Sequence, residues 1–195
     1  MKTNFLYRVL ISSYAVSTFA EGIIMPIYAV FVQKIGGTIL DTSGAIAVFL
    51  ILNGVAIIVI HRSQWSQRHR TLLLIFGWLV WVIGIAAYFV ISSVATLFMA
   101  QVLVALGNAI ADPAFDAELD DHTDEKLKSY EWGLFGALQD ILNGVAALTG
   151  GLIAGFFGFR ALIFCMMVAA TLSFMGILYY VRARNRRPAL PVTSS

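Results

Sequence analysis

The sequence predicts an all-α membrane protein of six transmembrane helices, arranged as a three-plus-three inverted repeat. Three observations carry that reading. The 195 residues are 59% hydrophobic and 12% charged, with a mean hydropathy of +0.84, whereas a soluble domain is about half apolar and about one quarter charged. A bilayer core of about 30 Å takes roughly 20 apolar residues per helix, so six helices need roughly 120 residues and twelve roughly 240. Six fit and twelve do not. Finally, the ionisable and amide side chains within the apolar stretches fall in spans one, two, four and five and are missing from three and six. The order polar, polar, apolar occurs twice, as expected when the first two helices of each repeat border a central cavity and the third faces lipid.

The transmembrane domain is placed at residues 1–182, with spans at about 5–32, 43–60, 72–91, 94–111, 132–157 and 161–181. Gly36-Gly37 turns the chain after span one, the polar run His61 to Arg70 follows span two, and Ser92-Ser93 links three to four. The acidic stretch Asp112 to Glu131 is expected as a solvated loop, and Gly158-Phe159-Arg160 as the turn into span six. Residues 183–195 form a basic, proline-containing tail. The first span has the cationic start of a secretion signal, but its length and the embedded Glu21 and Pro26 mark it as a retained helix.

Orientation follows from the cationic residues. With the N-terminus inside, eleven of the thirteen lysines and arginines (Lys2, Arg8, Arg62, Arg68, Arg70, Lys126, Lys128, Arg182, Arg184, Arg186, Arg187) are cytoplasmic, and Lys34 and Arg160 are outside. Both termini are expected in the cytoplasm, and the protein in the cell membrane as a multi-pass chain.

Glu21 lies near the middle of span one, where an ionised carboxylate in lipid costs several kcal/mol, so it is expected to face protein or a watery cavity. Ser13, Ser17, Glu21, Met25 and Tyr28 recur at steps of three and four and share one helical face. Span two contributes Asn53. Span four contributes the stripe Gln101, Asn108 and Asp112, and span five brings Gln139, Asp140 and Asn143 within about one turn. Glu21, Tyr28, Asn53, Gln101, Asn108, Asp140 and Asn143 are the candidate substrate- or proton-binding residues. The competing role for the amides is interhelical bonding, worth about 0.6 to 2 kcal/mol each. Gly133, Gly136, Gly144, Gly151 and Gly155 share the face of Asp140 and are candidates for close helix or dimer packing.

In Gly107-Asn108-Ala109, Pro113-Ala114-Phe115 and Ala117, then Gly133, Gly150-Gly151 and Phe157-Gly158-Phe159-Arg160, the chain resembles the major facilitator superfamily. The stretch from about Val94 to Phe164 looks like helices four to six of an N-terminal half, and Glu21, Gly22 and Pro26 look like its first helix. The family's loop between helices two and three carries Gly, Asp and basic residues; here the run from His61 to Arg70 keeps the basic part alone. Gln101 stands where many proton-driven members have an arginine, and Ala147 where exporters often have a proline. Members usually join two six-helix halves in one chain. The resemblance therefore implies a homodimer of halves around a shared cavity, moving a small-molecule solute by alternating access, with protons as a candidate coupling ion.

No cofactor, metal, nucleic acid or enzymatic activity is expected: Asp116, Glu118, Asp120, Asp121, His122 and Asp124 offer oxygen ligands to a divalent cation, but their spacing matches no calcium loop and a solvated acidic loop is the preferred reading. There is no phosphate-binding glycine loop or Cys/His cluster. His61, His69 and His122 fall in the expected loops, and the lone Cys165 sits in an apolar span as a small hydrophobe. The partners implied are a second copy, the solute and the lipid bilayer. The alternative is a non-transporting assembly or regulatory subunit of the same fold, using the glycine face to hold its partner.

Overall fold

The computed structural model describes residues 5–62 and 64–186, with the side chains of Gln64 and Trp65 left undescribed. Lys2, Arg187 and residues 187–195 of the expected tail lie outside the described residues.

The first apolar run forms α1 (Phe5–Gly22), a 3-10 turn at Met25–Ile27 and α2 (Tyr28–Lys34). Pro26 sits within that turn, where its missing N–H interrupts the helical ladder. Gly36, at a φ of 87°, reverses the chain in the left-handed region that glycine tolerates. The second helix, α3 (Ile39–His61), begins before the expected Ser43 because Thr38 and Asp41 form a capping box. Asp41 Oδ2 accepts from Thr38 N at 2.7 Å and Thr38 Oγ1 accepts from Asp41 N at 3.3 Å, which satisfies two otherwise unpaired amides.

A short α4 (Gln64–Arg68) precedes α5 (Arg70–Ala87), which a 3-10 turn extends through Tyr88–Val90. Ser93 and Thr96 form the second capping box, at the start of α6 (Val94–Asp120). This helix runs well past the expected end near Ala111 and straight through Pro113. The proline withholds its amide from the carbonyl four residues back, and His61 Nε2 donates to that carbonyl, Ala109 O, at 3.1 Å.

The last helix, α7 (Lys128–Asn185), leaves helical geometry at Gly158, with φ 80° and ψ 173°, and so divides into arms 128–157 and 159–185. Five helices among the described residues are long and apolar enough to cross a membrane, counting α7 once, and no strand occurs among those residues.

α1 packs along α7, α5 along α6, and α3 chiefly along α6, while α5 also reaches α7. Close approach explains the α5–α6 seam. A Cβ at Gly107 would fall 2.5 Å from Trp81 N, and one at Gly84 would fall 2.8 Å from Val104 Cγ2. Small residues let helices approach where lipid supplies no hydrophobic drive to associate.

The ends of α5, α6 and α7 meet at Glu118. Its side chain is 1% exposed and accepts from Tyr180 OH at 2.8 Å, pairs with Arg70 Nε at 3.2 Å, and binds Arg184. Arg184 also donates to Thr71 Oγ1 at 2.6 Å, and Arg70 pairs with Asp121. The expectation of a solvated loop fails for Glu118: α6 carries it inward, where two guanidiniums and a phenol compensate the buried charge.

Candidate functional site

Glu21 occupies the last turn of α1, where that helix crosses the α5–α6 seam. Its Oε1 accepts from Trp81 Nε1 of α5 at 2.5 Å and from Asn108 Nδ2 of α6 at 3.1 Å. Both donors are neutral. Two hydrogen bonds orient the carboxylate without neutralising it, so a proton or a cationic group remains the natural charge partner.

Two cavities meet at this residue. A small one of about 40 Å³ is lined by Tyr14, Ser17, Thr18, Trp78, Trp81, Asn108, Ala111 and Asp112 besides Glu21. A large one of about 330 Å³ is lined by Glu21, Tyr28, Tyr88, Gln101 and Asn143 together with an apolar wall that includes Ile24, Met25, Phe49, Leu50 and Met166. Glu21 is the residue common to both linings. Among the described residues, neither lining contains a lysine or an arginine.

At the large cavity Gln101 is buried and ties two helices together: its Nε2 donates to Tyr28 OH at 2.5 Å and to Tyr88 OH at 3.1 Å. Thus Glu21, Tyr28, Gln101 and Asn143 share one cavity, and Asn108 joins them through Glu21. Asn53 stands apart. It lines neither cavity, and its Oδ1 is enclosed without a hydrogen-bond partner among the described residues. Asp140 lies exposed on α7, also outside both linings.

Gly133, Gly144, Gly151 and Gly155 are exposed and Gly136 half-buried, and a Cβ at any of the five would meet nothing within 4 Å. Among the described residues, none stands where a side chain at these five positions would point. The tightly packed glycine of that arm is Gly150, where the Ile23 carbonyl already occupies the place of a Cβ.

Sequence reasoning missed Trp81. An indole in an apolar run reads as lipid-facing bulk, and the signal available was an N–H that needs a partner once buried. Trp78 repeats the pattern one turn earlier: its Nε1 donates to Ser173 Oγ at 2.9 Å, and Ser173 Oγ donates to Ser13 O at 2.7 Å. These bonds draw α1, α5 and the second arm of α7 together beside the small cavity.

The family model described as Major Facilitator Superfamily matches residues 10–194. A proton-coupled antiporter flippase, LtaA, of Staphylococcus saprophyticus is 28% identical over 84% of this chain and 42% of its own length. The chain spans less than half of that relative.

Proposed function

The chain belongs to the major facilitator superfamily, and from that premise we propose that it is a small-solute membrane transporter in which Glu21 binds cargo and proton alternately. One observation carries the reading: Glu21 lines both the large, mostly apolar cavity and the small one that it shares with Asp112. A carboxylate that faces two cavities, with no fixed cation among the described residues of either lining, is placed to exchange one positive partner for another. The relative's proton-coupled antiport accords with this chemistry.

Six membrane crossings follow if each arm of α7 counts as one, and the polarity order of the spans supports a three-plus-three repeat. The working unit is a homodimer that moves solute by alternating access, with both termini cytoplasmic. Its support is the uncovered polar and small-residue face of the first α7 arm, where Asp140, Asn143 and the glycines lie. Those polar groups are costly against lipid, and the glycines suit a closely packed partner.

The test is a thermal-shift screen of the purified protein against sugars, amino acids, organic cations and lipid headgroups. Uptake of the best binder into vesicles under an imposed pH gradient follows. Glu21→Gln preserves size and hydrogen bonding, and it is expected to abolish the pH dependence of uptake. Wild-type rate and pH profile in that variant overturn the assignment, and no uptake by the native protein returns the fold to a non-transporting role.

A further inference from the structure

We propose that the small cavity between α1 and α6 is a proton entry site in which Asp112 receives a proton and passes it through cavity water to Glu21. The inference rests on the reading of Glu21 given above and adds a second titrating residue with a route of access.

The geometry begins with α6. Asn108, Asp112, Asp116 and Asp120 follow one another at four-residue steps, so they form a slowly turning stripe along the helix. Asp120 is at the helix end, bound to Lys128 at 2.6 Å. Asp116 is exposed, Asp112 is half-buried in the cavity lining, and Asn108 is bonded to Glu21. Successive members stand about one helical turn apart, and Asp112 and Glu21 line the same small cavity. The stripe therefore leads from the surface to the buried carboxylate.

Among the described residues, Asp112 has no side-chain hydrogen-bond partner, in contrast to Glu118 and Glu21, which are both held by donors. Among the described residues, the charged and titratable groups that face it are Glu21 and Tyr14 from α1 and Asp116 from its own helix. α5 faces the cavity with Trp78 and Trp81, which do not titrate, and the first arm of α7 sets Phe135 against Tyr14. α3 brings His61 to the same helix, where it bonds the Ala109 backbone. Among the described residues, the cavity around Asp112 is lined by carboxylates and neutral groups, with no lysine or arginine.

At about 40 Å³ the cavity has room for water, and Thr18, Asn108 and the two carboxylates supply the polar partners a buried water needs. The transfer balances. The Asp112 carboxylate takes a proton from bulk water, the resulting acid donates to cavity water, and that water protonates Glu21. Asp112 is left ionised for the next proton. Cargo reaches Glu21 from the large cavity, whose lining does not include Asp112.

The test is infrared difference spectroscopy of the full chain in phosphatidylcholine vesicles, titrated with acid in sodium-free buffer. Native protein should show two coupled carboxyl protonation steps that are absent from the Asp112→Asn, Glu21→Gln double variant. Asp112→Asn should remove one step and move the midpoint of the other by about one pH unit or more, the mark of interacting sites. Asp112→Glu should restore both steps with altered midpoints, and it decides the matter if the asparagine variant does not reconstitute.

An unchanged Glu21 step in Asp112→Asn, or in Asp112→Glu, overturns the relay while leaving the Glu21 reading intact. Loss of no step in Glu21→Gln overturns both. Carboxyl signals that respond to added sodium chloride at constant pH, and not to acid, identify a sodium site and overturn the proton route.

Discussion

His61 Nε2 donates to Ala109 O, the carbonyl that Pro113 leaves without a helical partner. A side chain at the end of α3 thus completes the hydrogen bonding of α6 and ties the two helices where α6 would otherwise be open.

His61→Ala should therefore destabilise the protein by about 1–2 kcal/mol, the cost of an unsatisfied carbonyl at a half-buried site. In a Pro113→Ala background the same substitution should cost much less, because the restored amide supplies the missing bond. Thermal unfolding of the four proteins in one detergent measures the difference, and equal costs in both backgrounds would disprove the link.

Glu118→Ala should lower stability by about 2–3 kcal/mol, since it leaves two guanidiniums and a phenol without their common acceptor; the partial exposure of both arginines moderates the full cost of breaking a buried pair. The loss should be one of melting temperature. Cargo binding at the distant large cavity, measured below the melting range, should be unaffected.

Gly158→Ala should cost about 1–3 kcal/mol, because a residue with a Cβ is strained at φ 80° and ψ 173°. Deletion of the bend angle, not of any contact, is the change, so the fluorescence of the buried Trp78 should report a looser core before unfolding.

Gly151→Val and Gly150→Val should separate pairing from folding. The former meets open space and should change the melting of the isolated chain by no more than about 0.5 kcal/mol while blocking association. The latter drives a side chain into the Ile23 backbone and should prevent folding. Chemical cross-linking in lipid and thermal melting, taken together, read the two effects.

How much of this was legible in the sequence depended on the kind of signal. Glu21 was found because a carboxylate in an apolar run is costly in any fold, and Gln101 and Asn108 because their spacing returns to one helical face. Trp81 was hidden by its own hydrophobicity, although it holds Glu21 more closely than any residue singled out beforehand. Glu118 was misplaced because the aspartates nearby and Pro113 made a loop the natural reading; the bond from His61 to Ala109, 48 positions apart in the chain, is what accommodates the proline in a continuous helix. Long-range repairs of that kind leave no local periodicity to read.

The sparse packing of α3 bears on how the molecule is made. With a mean hydropathy of 2.5, it is the most apolar of the five long helices, and with 11% of its core stretch buried it is the least covered. Its main support, α6, is synthesised only after α4 and α5. During insertion α3 must reside in lipid before the surface it will lean on exists, and a helix apolar on nearly all sides can do so unaided. The feature that makes it look unfinished in the folded chain is the one that lets it wait.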